Sequence, residues 1–171
     1  DDALDVLDVV AIVGHILDNS NLGDAYCIAD VNVDGNVDVL DVVSVVQSIL
    51  GGRGQEATSA SFTKTEDGML MSSDGVVGAV QITLSHGSDF SIELTDDAFV
   101  ADYNTDGGTT TLIVVNPNEE AIFVATGDYN VEEVIAATTE GYITTNIVTP
   151  SAIAIGNAYP NPFNPSTAFE L

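Results

Sequence analysis

Asp30-Val31-Asn32-Val33-Asp34-Gly35-Asn36-Val37-Asp38-Val39-Leu40-Asp41 decides how the first third of this chain is read. Side-chain oxygens at alternate positions, on Asp30, Asn32 and Asp34, would converge on one point. That is the chemistry a hard cation such as calcium asks for, about six to eight oxygen ligands from a flexible loop. Gly35 allows the sharp turn, and Asn36 would add its backbone carbonyl. Asp38 would coordinate directly or through water, and Asp41 would close the sphere from the first turn of the next helix. Val37 is the apolar residue expected to pin the loop to the core. The carboxylates of Asp30, Asp34, Asp38 and Asp41 repel one another without a cation, so folding and metal binding are expected to be coupled. The competing reading is an acidic turn without metal.

On either side of the loop the apolar residues keep helical spacing. Leu4, Leu7, Val10, Ile12-Val13 and Ile16-Leu17 recur at intervals of three and four, as do Val37, Leu40, Val43, Val45-Val46 and Ile49-Leu50. The two stretches are copies of one unit at an offset of 33 residues, with Leu4–Val10 matching Val37–Val43. Duplicated helical units of this kind bury their apolar faces against each other. The second helix is expected to stop at Gly51-Gly52. In the first copy Asp1, Ala3, Asp5 and Asp8 align with Asp34, Asn36, Asp38 and Asp41. Counterparts of Asp30 and Asn32 would lie before residue 1, and Asp2 stands where Gly35 stands, so this first calcium loop has an incomplete ligand set.

A loop that closes on Asp, runs at once into an apolar helix and is duplicated in tandem resembles a type I dockerin. The resemblance implies two calcium loop–helix units that dock onto a cohesin partner through residues at the helix starts. Those positions are Val6 and Leu7 in the first copy and Val39 and Leu40 in the second. Being apolar, they imply an apolar partner surface; the alternative is that Leu7 and Leu40 belong to the buried face.

From Ser59 onward the pattern changes to short runs rich in Val, Ile, Thr, Phe and Tyr, bounded by Gly, Asp and Asn. Strands are expected at Ser59–Lys64, Met69–Ser72, Val77–Leu84, Phe90–Leu94, Phe99–Tyr103, Thr110–Asn116, Ala121–Thr126, Glu133–Thr138 and Tyr142–Val148, with a short helical turn near Asn130–Val134. Turn signals every ten residues or so point to an antiparallel β-sandwich. A second acidic match, Asp102-Tyr103-Asn104-Thr105-Asp106-Gly107, would close on Ile113, which has no side-chain oxygen, so a hairpin is favoured there over a metal loop. His86-Gly87-Ser88-Asp89 are neighbours on a turn and cannot easily align as nucleophile, base and orienter. No catalytic residue is assigned, and the chain is not expected to be an enzyme. Beside a dockerin-like unit, the 59–149 sandwich resembles cohesin-like modules, with a jelly-roll-like alternative. Glycan binding through Tyr103, Tyr129 or Tyr142 is a lesser option, because Trp is absent.

The last segment, Gly156-Asn157-Ala158-Tyr159-Pro160-Asn161-Pro162-Phe163-Asn164-Pro165-Ser166-Thr167, resembles the opening of the C-terminal sorting domain of type IX-secreted proteins. It implies export from a bacterium, with the chain cut from a longer precursor. The expected organisation is a dockerin-like helical domain over 1–50, a linker over 51–58, a β-sandwich over 59–149 and an extended Pro-rich tail over 150–171.

The formal net charge of -25, from 27 acids against two basic residues, argues against nucleic acid and anionic membranes as partners. No membrane-inserting segment is expected. A single cysteine, Cys27, excludes an internal disulfide and is expected to be a buried small apolar residue. The expected function is a non-catalytic, extracellular or cell-surface, calcium-dependent interaction and assembly module. Its protein partner would be a cohesin-like sandwich of the same or a neighbouring chain, and in the second case the product is a homopolymer or filament. The alternative is a C-terminal spacer and secretion appendage of a larger secreted enzyme, with the helical unit packed on its own sandwich.

Overall fold

The computed structural model describes residues 4–18, 21–51 and 54–149. The readings made for Asp1, Asp2, Ala3 and the 150–171 tail lie outside the described residues.

The repeat becomes two long helices packed against each other. Helix α1 spans Val6–Asp18, a single turn α2 spans Tyr26–Ala29, and α3 spans Val39–Leu50. Each long helix begins with the same acidic clasp. Asp5 accepts the Leu7 N–H at 2.8 Å while its own N–H donates to Asp8 at 2.9 Å. Asp38 accepts the Leu40 N–H at 2.8 Å and donates to Asp41 at 2.9 Å. Reciprocal capping of this kind satisfies N–H groups that a helix start leaves without partners. The sequence duplication is therefore a duplication of local structure.

The strands form two five-stranded sheets, ordered β10-β1-β2-β7-β4 and β5-β6-β3-β8-β9. They are β1 Ser59–Lys64, β2 Gly68–Ser73, β3 Ala79–His86, β4 Ser91–Leu94, β5 Val100–Asp106, β6 Thr109–Val115, β7 Ala121–Thr126, β8 Tyr129–Thr138, β9 Gly141–Tyr142 and β10 Thr144–Val148. Every pairing between these strands is antiparallel except β1 with β10. Phe62, Met69, Ile122 and Phe123 meet Val80, Ile82, Leu84 and Leu112 between the sheets to form the main core. The mostly antiparallel sandwich expected from alternation is present.

Three details differ from the sequence reading. The helical turn expected at Asn130–Val134 is strand, because β8 extends back to Tyr129 and pairs with β3 through a bulge opposite Thr83/Leu84. An extra residue breaks the alternation, and a broken alternation imitates a helical pattern. The strand expected at Tyr142–Val148 is two strands that belong to opposite sheets, β9 beside β8 and β10 beside β1. Cys27 is exposed, not buried, because α2 turns only Ala29 inward.

Strand β6 positions everything that follows. Leu112 and Val114 face the sandwich core, whereas Ile113 and Val115 face the helices, and all four are fully buried. A continuous apolar run is the signature of a strand covered on both faces. On its outer face Ile113 and Val115 join Val9, Ile12 and Val13 of α1 and Val42, Val45 and Val46 of α3 in one cluster. The helical unit thus sits on the sandwich of its own chain.

The linker is tied down in its second half. Ala57 and Val76 exchange backbone bonds with their neighbours, Ala57 N–H to Val76 carbonyl at 3.0 Å and Val76 N–H to Gln55 carbonyl at 2.8 Å. Asp74 accepts the N–H groups of Thr58 and Ser59 at 2.8 and 3.0 Å, and the Thr58 hydroxyl as well. These bonds, the Thr58 hydroxyl first, pull its carboxyl from 3.8 down to about 2. A group whose folded pKa is depressed stabilises the fold above its unfolded value and loses that effect as pH falls through the folded value. Asp74→Asn is therefore expected to lower the melting temperature at neutral pH. The gap to wild type should close between about pH 4 and pH 2, which parallel acid melting curves would measure.

Candidate functional site

Residues 30–41 form a closed turn that runs from the end of α2 into the first turn of α3. Asp30 accepts the N–H groups of Asp34 and Gly35 at 3.1 and 2.9 Å, and Asn32 accepts that of Asp34 at 2.9 Å. Asp34 in turn accepts the N–H of Asn36 at 2.9 Å. The side-chain oxygens of the alternate residues 30, 32 and 34 thus fold back onto N–H groups of the loop itself. Gly35 has φ +94°, a conformation that side chains rarely adopt. Val33 has φ +59° and is one of the most exposed apolar residues of the chain. A β-branched residue there carries backbone strain of about 1–3 kcal/mol, which the loop holds through its dense hydrogen bonding.

Asp41 closes the turn from inside. It has no solvent exposure, and its carboxylate accepts Val31 N–H at 2.7 Å, Asn32 N–H at 3.2 Å and Asp38 N–H at 2.9 Å. One buried acid therefore ties the start of the loop to the start of α3. The N–H of Asn36, followed by the amide of Asn32, holds the Asp34 carboxyl below its ordinary range. Asp34 stays an anion.

The donor set of this loop consists of carboxylates, an amide and a backbone carbonyl, all hard oxygens suited to calcium. Each carboxylate oxygen that accepts one N–H keeps a further lone pair. Among the described residues, no group of three or more His, Cys, Asp or Glu side chains is arranged to hold a metal ion by itself. What suits the loop to calcium is the donor type and spacing of its sequence, with Asn32 and the Asn36 carbonyl among the oxygens that would be needed. Of the first loop, Asp5 and Asp8 are present as the clasp of α1.

The four helix-start residues part company. Val39 is 1 % exposed, wedged with Val43 against Ala79 and Ala137 of the sandwich, and Leu40 is partly buried beside Ile135. Val39 as an open partner-docking residue is thus corrected: the sandwich of its own chain already covers it. Val6 and Leu7 remain open, at 41 % and 65 % exposure. Leu4, Val10, Ile28 and Val31 are exposed as well. An apolar groove of about 100 Å³ has walls that include Leu4, Ile12, Leu22, Ile28, Val31 and Val45.

One contact was invisible in the sequence. The Tyr142 hydroxyl of β9 donates to Asp38 at 2.7 Å, across 104 positions of chain. Burial, then that hydrogen bond, then the charges of Asp38, Asp34 and Asp41 push the Tyr142 phenol up.

The other motifs settle as ordinary structure. Asp102–Asp106 lies within β5 and turns through Gly107-Gly108 into β6, the expected hairpin. The His86 ring stacks on Phe90 at 4.1 Å and bonds to the Thr110 hydroxyl at 2.7 Å. Tyr129 is buried, with its hydroxyl on the Gly68 carbonyl at 2.7 Å and its phenol raised to about 12 by burial, so it offers no stacking platform.

No family model and no curated protein matches the chain. A solved structure that does match is a non-cellulosomal cohesin from the hyperthermophilic archaeon Archaeoglobus fulgidus. The match has 11 % sequence identity and a TM-score of 0.36, and it covers 56 % of this chain and 93 % of that one.

Proposed function

We propose that this chain is a non-catalytic, calcium-dependent protein-interaction module that works outside a bacterial cell or on its surface. The observation that carries the reading is the unequal fate of the two helix starts. Val39 is spent on the sandwich, whereas Val6 and Leu7 stay open to solvent, as do Leu4, Ile28 and Val31 on the walls of the apolar groove. Exposed apolar area next to a groove marks an interaction surface. In a chain of net charge -25, its partner would bring an apolar knob with a basic rim. Calcium, when bound, would neutralise the acids of the turn and lock the loop from which α3 starts. Asp30, Asn32, Asp34, Asp38 and Asp41 would hold it with the carbonyl of Asn36. Asp5 and Asp8, with Asp1 and Ala3 before them, would form the partial first site.

A second reading is favoured by the docking of the helical unit on its own sandwich. In it the chain is a rigid spacer before a secretion signal, attached to a larger secreted enzyme. Assembly into a filament would then need the Val39 contact to be exchanged between chains, or the Leu7 face to be used.

Sedimentation velocity and electron microscopy, in calcium and then in chelator, separate these readings. Association that grows with protein concentration in calcium, falls in chelator and is lost in Leu7→Asp supports self-assembly through the open face. A monomer under every condition removes self-assembly and leaves the spacer, or a foreign partner, as the role of the module.

A further inference from the structure

We infer that Tyr142 is a positioning residue for the Asp30–Asp41 loop, so that seating the helical unit on the sandwich and binding calcium strengthen each other. The inference rests on the calcium reading of that loop and adds a residue that lies outside it.

Asp38 is the point where three structures meet. One carboxylate oxygen caps α3 through the Leu40 N–H, and its backbone N–H donates to the buried Asp41. Its other oxygen receives the Tyr142 hydroxyl at 2.7 Å. Without that hydroxyl the Asp38 side chain would be held by the capping bond to Leu40 alone, and the orientation of its second oxygen, as a loop ligand, would be less sharply fixed.

The aim of Tyr142 is itself fixed by the sandwich. Tyr142 is paired with Ala137 and Gly141 with Thr138 across the tight β8–β9 turn. Gly141 has φ +126°, a conformation that admits glycine and almost nothing else. The Thr138 hydroxyl receives the Glu140 N–H at 3.3 Å inside the same turn. Ala137, the partner of Tyr142, is also part of the seat on which Val39 and Val43 rest. Ala137 of the apolar seat and the Tyr142 hydroxyl therefore belong to one hairpin. Whatever holds α3 on that seat also holds Asp38 in place, and coupling between two such equilibria is reciprocal.

The test is calorimetric calcium titration of the full chain as wild type, Tyr142→Phe and, as a control, Tyr103→Phe, an exposed tyrosine on β5. Tyr142→Phe is expected to bind calcium about tenfold more weakly, within the usual range of coupling between sites, while Tyr103→Phe binds as wild type. The chain has no tryptophan, so its near-ultraviolet spectrum reports tyrosines. Calcium should perturb that spectrum in wild type and in the control, and the perturbation should shrink in Tyr142→Phe. A purely structural role for Tyr142 would lower the melting temperature in chelator and leave the affinity alone. Equal affinities for wild type and Tyr142→Phe overturn this inference and spare the calcium loop. No calcium binding by wild type overturns both.

Discussion

Replacing Asp30 and Asp34 together by Ala is expected to erase the specific calcium response of thermal stability. A ligand that binds only the folded chain stabilises it by about 2.7 kcal/mol at a hundredfold excess over its dissociation constant. For a chain of this size that amounts to a rise of about 5–10 °C in melting temperature. The two substitutions remove the oxygens that receive the Asp34, Gly35 and Asn36 N–H groups. They also remove two of the negative charges that crowd the loop. In chelator these effects oppose each other, so the double variant should melt close to apo wild type. In calcium it should fall behind by the whole shift. General screening must be separated from site binding, because a net charge of -25 responds to any salt. Magnesium at matched ionic strength measures the screening part, which both proteins should share. If wild type melts at one temperature in calcium, magnesium and chelator, the metal reading of the loop is wrong.

Residues with a local pattern were legible from sequence. The 33-residue repeat announced α1 and α3, and it aligned Asp5 and Asp8 with Asp38 and Asp41 as metal ligands; that each pair also forms a capping clasp was not read from the sequence. Alternation placed β1 and β7 at their observed bounds. What failed were features that depend on a distant neighbour. The bulge in β8 is a response to β3, and the division of Tyr142–Val148 between two sheets is decided by β8 and β1. No periodicity within either segment carries that information.

The covering of Val39 and Leu40 is the instructive case. The apolar character of Leu40 fitted an outside partner and a buried face equally well, and Val39 was read only as facing a partner. A signal that favoured burial was present elsewhere, in Leu112-Ile113-Val114-Val115. Four apolar residues in a row on a sandwich strand mean that something packs on its outer face. The reach of Tyr142 to Asp38 had no such signal, since an exposed tyrosine 104 positions away is one of several.

Gly78→Val should separate the helical unit from the sandwich without disturbing the sandwich core. Gly78 lies just before β3, under α3. A Cβ there would come within 2.7 and 2.9 Å of the two γ-carbons of Val43 and within 3.1 Å of the Ala137 carbonyl. Val43 is β-branched and cannot rotate freely away on a helix. Its neighbours Val39, Ala79 and Ala137 are fully buried or nearly so. The backbone on the other side is held by the Gly78 N–H to the Ala137 carbonyl at 2.9 Å and by the Asn116 N–H to the Gly78 carbonyl at 2.7 Å. The strain is therefore relieved most cheaply by lifting α3, at a cost of about 1–3 kcal/mol. Lifting α3 also draws Asp38 away from Tyr142, so calcium affinity should fall along with docking. Phe62, Ile82 and Phe123 lie in the core cluster between the sheets and should keep their packing. Hydrogen exchange is the discriminating measurement. Amides of α3 should lose protection in Gly78→Val, while those of β1, β2 and β7 keep theirs. Protection of α3 equal to wild type would mean that the close approach at Gly78 does not hold the two units together.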